Sequence, residues 1–394
     1  MERKTLIIGN NESVGFLLGK GLNGTEGRSQ NYHYRRHFMI KRKGLCLIGI
    51  AAALMLSACS TKNENNQEFV SHGENVSNGD VSLIVDSDEG KKAALTRPPE
   101  EARVKLTIGV VKNDAAAITL ANLAAENEED AAFEKYEFVY AENYTALAQQ
   151  LKEGKLGVAV MPPAKALDMY AADKSVKVLA SLTNKSYRIV GEGISSLSDL
   201  AGKTVYMSND DKTSLCLMTK LVNYAGIKDC KFEYTADNAE LYSAVEGGSA
   251  ECAIMSEPYI SMLKQKGVTV KEYDFSQDWE NATEGNSYCG GCLVATNEFM
   301  TKQKAAVDYM LDDIKRSCEA VKSDAGTSAA DAQKYGFIDD AKAAEAAYTA
   351  MDIGFFKDRQ MRYLINNMFT AFDNADSEVL GTNIPDEDFY LVKD

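Results

Sequence analysis

The run Cys289-Gly290-Gly291-Cys292 is the stretch whose residue types and spacing most suggest reactive chemistry. A Cys-x-x-Cys pair can serve as a redox couple or as half of a metal site. A zinc site usually takes four ligands, and the chain has no second Cys-x-x-Cys. All three histidines (His33, His37, His72) precede residue 103. No His triad, His base or His metal ligand can therefore operate beyond it. A redox pair usually opens a helix, whereas this one leads into the apolar run Leu293-Val294-Ala295. The pair reads as a disulfide, or as two free thiols flanking a tight Gly-Gly turn. No Gly-rich phosphate loop, nucleophile elbow or metal-binding helix appears. The expectation is no cofactor, no metal and no enzyme.

A second cysteine suggests covalent modification. Lys41-Arg42-Lys43 precedes an apolar stretch from Gly44 to Leu56, and Ser57-Ala58-Cys59 closes it. Positive charge, an apolar run and small residues, in that order, make a signal peptide. The run is short of the roughly 20 apolar residues that span a bilayer. The segment resembles the lipobox of bacterial lipoproteins. That resemblance implies that Cys59 is lipidated and becomes the mature N-terminus, on the extracytoplasmic face of a cell membrane.

These two sites divide the chain. Residues 1–38 fit no targeting logic and are read as an upstream extension, because Met39 is the better start. Residues 39–58 are the signal peptide. Residues 59–102 are the modified cysteine and a polar tether, low in apolar residues and poor in core. As a flexible coil the tether would span roughly 35–40 Å. Residues 1–58 carry 9 Lys/Arg and 3 Asp/Glu, and the whole chain has a net charge of −15, so the remainder carries about −21. Such an acidic body repels phosphate backbones, which excludes nucleic acid as an expected partner.

The body, 103–394, holds an internal repeat. Lys105–Val111 is an apolar strand, followed by a polar loop and a helical run from Ala115 to Glu126. Lys203–Met207 is its counterpart, followed by the loop 208–212 and a helical run from Thr213 to Tyr224. Each copy continues with a strand, a helix ending at Glu-Gly, a short strand ending in Met, and a turn containing proline. Strand–helix alternation predicts parallel sheets. The expected fold is α/β and two-lobed, each lobe a mainly parallel sheet flanked by helices, with two hinge crossings. The expected course is lobe one (103–187), lobe two (188–287), and a return to lobe one with C-terminal helices (288–394).

Ligands in such sheets sit outside the carboxyl ends of the strands, where helix N-termini offer free N–H groups. That places Lys112, Asn113 and Asp114 at a cleft, although Asp114 equally suits a helix cap. Ser208, Asn209 and Thr213 are the lobe-two counterparts. Asp210, Asp211 and Lys212 are expected to be solvated. Glu257 follows a strand and precedes Pro258, so it is either a ligand contact or a partner for a helix dipole. Tyr288 stands at the second crossing and suits stacking on a ring or packing the hinge. Trp279 suits packing.

The order of these segments resembles a known family. Ser196-Leu197-Ser198-Asp199-Leu200-Ala201-Gly202-Lys203-Thr204-Val205 resembles the entry to the second lobe of type II periplasmic binding proteins. Glu257-Pro258-Tyr259 resembles their E-P-[YF] turn, and Tyr288 to Val294 their crossover. Ile384 to Tyr390 resembles the C-terminal end of the thiamine-precursor and sulfonate-binding branch, to which nitrate-binding proteins also belong. The resemblance covers about 103–394. It implies a monomeric solute-binding lipoprotein of an ABC importer, with permease subunits as partners. Pro162-Pro163-Ala164-Lys165 departs from the branch's polar turn, and Pro163 is counted among the expected ligand contacts. Eukaryotic thiamine-pyrimidine synthases on this fold depend on histidine, which the body lacks. A lipid-anchored sensor without a transport role is the other alternative. The candidate loops hold four carboxylates, two lysines and no arginine. This favours a small, neutral or weakly cationic, nitrogen-containing solute such as a thiamine-pyrimidine-like heterocycle, with an alkanesulfonate as runner-up.

Overall fold

The computed structural model describes residues 95–393 and one short strand, β1 (Leu6–Ile7). Cys59, the signal peptide and most of the tether lie outside the described residues.

Lobe one opens with β2 (Lys105–Val111), α1 (Ala121–Glu128), β3 (Lys135–Ala141), α2 (Tyr144–Lys152), β4 (Val158–Met161), α3 (Pro163–Asp173) and β5 (Val176–Asn184). The chain then crosses to lobe two. There it forms β6 (Tyr187–Gly191), β7 (Thr204–Ser208), α4 (Lys212–Tyr224), β8 (Lys231–Thr235), α5 (Asn238–Glu246), β9 (Cys252–Ser256), α6 (Tyr259–Gln265), β10 (Glu272–Tyr273) and α7 (Ser276–Ala282). It returns through β11 (Cys289–Thr296), α8 (Asn297–Lys302), α9 (Lys304–Ser323), α10 (Ala325–Lys334), α11 (Ala341–Ala350), β12 (Asp352–Lys357), α12 (Asp358–Ala375) and α13 (Ser377–Leu380).

The repeat folds as a repeat. In lobe one β2 lies between β3 and β4, parallel to both; in lobe two β7 lies between β8 and β9, parallel to both. Helical crossovers force this direction, because a helix between two strands brings the chain back to start the next strand at the same end. The full sheets are mixed. Their orders are β12-β5-β11-β4-β2-β3 and β1-β8-β7-β9-β6-β10, and every strand added outside the two triplets runs antiparallel to its neighbour. β11 and β6, the strands on which the chain returns to lobe one and enters lobe two, are inserted antiparallel between β4 and β5 and between β9 and β10.

Seven of the labelled elements are absent from the sequence expectation: α7, α8, α10, α13, β1, β10 and β12. More consequential is α12. The sequence assigns the C-terminal helices to lobe one, but α12 packs on both lobes. Phe372 meets Trp279 of α7, and the Ala375 carbonyl accepts from Asn223 of α4 at 3.1 Å. Asn367 donates to Asn286 at 2.9 Å beside the second crossing. The main apolar core accordingly runs through both lobes, from Leu147 and Met161 to Met207 and Phe232, with Met361, Phe369 and Phe372 of α12 between.

The Gly-Gly of Cys289-Gly290-Gly291-Cys292 is not a turn. All four residues lie in β11, with both cysteines buried and free. The glycines serve close approach. A Cβ on Gly291 would meet the Ala116 Cβ at 2.5 Å, and one on Gly290 would collide with the Ser186 hydroxyl.

Candidate functional site

The carboxyl ends of the two parallel triplets face each other, and the polar loops beyond them form a buried cluster between the lobes. Asp114 follows β2. Its Oδ1 accepts from the N–H groups of Ala116 (2.9 Å) and Ala117 (2.7 Å), which start a 3-10 turn, Ala117–Leu120, ahead of α1. Its other oxygen accepts from the Tyr144 hydroxyl at 2.5 Å. Asp211 does the same in lobe two. Its Oδ1 accepts from Thr213 N–H at 3.2 Å at the start of α4, and its Oδ2 from the Tyr187 hydroxyl at 2.6 Å. Glu257 sits at the carboxyl end of β9, fully buried, and its Oε2 accepts from Ser261 N–H at 3.1 Å within α6. Each helical start reached by these three loops is thus closed by a carboxylate of its own chain.

Burial dominates the electrostatics. It raises Asp114 and Glu257 above the usual carboxylate range, and pushes Asp211 up to about 7. Asp210 and Asp114 add repulsion at Asp211, and desolvation disfavours the charged form. The arginine at the crossing does not compensate. Arg188 of β6 donates to the carbonyls of Lys185 (2.7 Å), Tyr187 (2.8 Å) and Ala350 (2.7 Å) and pairs with Asp274, so it binds the crossing to the end of α11.

The expected site residues divide. Asn113, Asp114, Ser208, Thr213 and Glu257 all lie at strand ends facing the other lobe. Asn113 has a φ of 61°, and its buried Oδ1 has no partner among the described residues. Ser208 accepts from Asp210 N–H at 3.2 Å, and Thr213 accepts from Ala164 N–H of lobe one at 3.3 Å. Pro163 is buried as the first residue of α3 and offers no polar group. Lys112 is half-exposed and pairs with Asp339 at 2.5 Å. Asn209 is exposed to solvent, with its N–H on the Thr235 carbonyl.

Two expectations need correction. Asp210 and Asp211 are buried rather than solvated, because the opposite lobe covers their loop, and Lys212 reaches across to Asp168 at 2.7 Å. Tyr288 packs the hinge. It is fully buried, stacks on Phe275 at 5.8 Å, meets Trp279 edge-on at 5.6 Å, and donates to the Tyr187 carbonyl at 3.2 Å.

Tyr144, Lys165, Thr183, Ser186 and Tyr187 also belong to the cluster, and sequence reasoning missed them. The Thr183 and Ser186 hydroxyls flank Gly290, are buried, and have no partner among the described residues. Tyr144 follows β3, a strand parallel to β2, so its loop had to open at the same end; extending the strand-end rule to every strand of the triplet would have found it. Among the described residues no cluster of ligating side chains suits a metal ion. An open groove of about 880 Å³ lies at the other end of the lobe-two strands, lined by Lys203, Glu251 and Lys271 among others.

Two α/β lobes joined by paired crossings, with polar strand-end loops buried between them, define a two-lobed solute-binding protein. The family model described as "ABC transporter, phosphonate, periplasmic substrate-binding protein" matches residues 118–335, more than half of the chain. The chain belongs to that family. It is the substrate-binding component of an ABC import system, extracytoplasmic and not an enzyme. Solved structures share the fold at low identity. The alkanesulfonate-binding protein SsuA from Xanthomonas axonopodis pv. citri, bound to MOPS, is 15% identical with a TM-score of 0.56, covering 72% of this chain and 96% of that one. The periplasmic aliphatic sulphonate binding protein SsuA from Escherichia coli is 16% identical with a TM-score of 0.58, covering 73% and 92%. An ABC transporter protein from Parabacteroides distasonis is 14% identical with a TM-score of 0.58, covering 73% and 99%. Among curated proteins no sequence matches the chain.

Proposed function

We propose that this protein is a lipid-anchored receptor that captures a small, neutral or weakly cationic, nitrogen-containing solute between its lobes and hands it to an ABC permease. Cys59 carries the anchor, and residues 60–102 are the tether. The solute contacts are drawn from Asn113, Asp114, Ser208, Thr213 and Glu257, together with Thr183 and Ser186. A thiamine-pyrimidine-like heterocycle fits this description.

One observation carries the reading. The helical starts after β2, β7 and β9 are occupied by Asp114, Asp211 and Glu257. An oxyanion would seek those N–H groups, and it would meet buried carboxylates instead. The free polar atoms at the strand ends include the acceptors Asn113 Oδ1 and Glu257 Oε1, which suit a solute that donates hydrogen bonds. Closure follows when the shut form makes more solute contacts than the open one.

An alkanesulfonate is the second reading, favoured by the fold shared with two sulfonate-binding proteins. Calorimetry with an aminopyrimidine and with an alkanesulfonate separates them. Micromolar binding of the sulfonate, with no heat from the heterocycle, overturns the preference.

A further inference from the structure

Asp210 belongs to lobe two, yet its donors belong to lobe one. Its Oδ2 accepts from Tyr144 N–H at 2.5 Å. Its Oδ1 accepts from Thr145 N–H at 3.0 Å, from Lys165 Nζ at 2.9 Å, and from the Thr145 hydroxyl. Tyr144 and Thr145 are the first two residues of α2, whose N–H groups have no acceptor within the helix. The helix's own cap, Asn143, reaches only Ala146 N–H. A carboxylate from the other lobe therefore completes the cap of α2, where the helix dipole also favours negative charge.

The pairing is sheltered. The Lys165 side chain is 18% exposed and that of Asp210 is 6% exposed, so salt screens the pair far less than a surface one. Two further bonds cross beside it, from Ala164 N–H to Thr213 and from Lys212 to Asp168. Opening the lobes would strip Asp210 and the start of α2 of their partners together.

We propose that Asp210 is an interlobe latch, a lobe-two carboxylate that caps α2 and pairs with Lys165 and so favours the shut arrangement of the lobes over the open one. The proposal rests on the two-lobed capture reading only in taking the lobes as the moving parts. Every opening of the cleft must then break the latch.

The test uses the purified full chain without solute, so its failure leaves the solute reading standing. Amide hydrogen exchange is followed at Ala164, whose N–H bonds across to Thr213 and which Asp210 does not touch. Scattering gives the radius of gyration of the same samples. Asp210→Ala should speed exchange at Ala164 at least tenfold and enlarge the radius of gyration. Exchange at Tyr144 and Thr145 rises in any case, because they lose an acceptor, and so decides nothing. If Asp210→Ala does not fold, Asp210→Asn and Lys165→Met are read the same way, each expected to change both quantities in the same direction by less. Wild-type exchange at Ala164 with a wild-type radius would show that Asp210 only caps a helix, and the latch would be abandoned.

Discussion

Tyr187 donates its phenol hydrogen to Asp211 Oδ2 at 2.6 Å, and both side chains are closed off from solvent. The pair holds a carboxyl group in a place that disfavours its charge. Asp211 stands at about 7 in the folded protein, against about 3.9 in an unfolded chain. Between those values the folded state keeps a proton that the unfolded state has released. This group therefore lowers stability progressively as pH rises from about 4 to 7. At about 1.4 kcal/mol per unit, the full penalty above pH 7 is on the order of a few kcal/mol. Asp211→Asn removes the titration but keeps an oxygen for the tyrosine. Its urea midpoint, minus that of the wild type, should grow between pH 5 and pH 8. A constant difference across that range would mean that Asp211 is ionised throughout.

The packing role of Tyr288 makes a graded prediction. Tyr288→Phe loses two bonds, one donated to the Tyr187 carbonyl and one accepted from the Tyr187 N–H, and should cost about 1–2 kcal/mol. Tyr288→Ala empties the space between Phe275 and Trp279 and should cost about 3–5 kcal/mol. Denaturant unfolding checks both. Equal, small losses would place the ring outside the core.

The six cysteines of the body give a counting experiment. Cys216, Cys230, Cys252, Cys289, Cys292 and Cys318 are all buried and free. Burial pushes the Cys216, Cys230, Cys289 and Cys318 thiols up to about 12 and Cys252 to about 11. The thiolate is the reactive form. A thiol reagent at pH 8 should leave all six untouched in the folded protein and modify all six in denaturant without reductant. Only four reacting in denaturant would reveal a disulfide.

Lipidation at Cys59 is tested in cells. Cys59→Ala protein should be released from the membrane or stay unprocessed, because one acyl chain alone anchors weakly and stable anchoring needs two signals. Membrane-bound, lipid-carrying Cys59→Ala protein of wild-type size would refute it.

Much of the fold was legible in the chain. The repeat from Lys105 and from Lys203 set two strand–helix triplets, and the periodicity of each run placed its strands and helices within a few residues. Asn113, Asp114, Ser208, Thr213 and Glu257 could be assigned to one end of the sheets because strand ends in parallel sheets point one way. Such rules are local, so residues near in sequence suffice to apply them. The histidine-free body and the cysteine spacing also excluded His chemistry and a paired zinc site without any coordinates.

Tertiary structure decided what crosses between the lobes. Asp210 is charged, polar and in a loop, so its sequence neighbours mark it as solvated; only the start of α2, 65 residues earlier at Thr145, makes it a buried cap. Tyr288 reads as a solute platform, with hinge packing as the alternative, until Phe275, Trp279 and Tyr187 are seen around it. The two-lobe span of α12 was hidden for the same reason. An amphipathic stripe tells a helix that it must bury one face, and carries no address for the surface that buries it. Burial of a charge and the choice of a partner are properties of the assembled lobes, fixed by contacts between residues far apart in the chain.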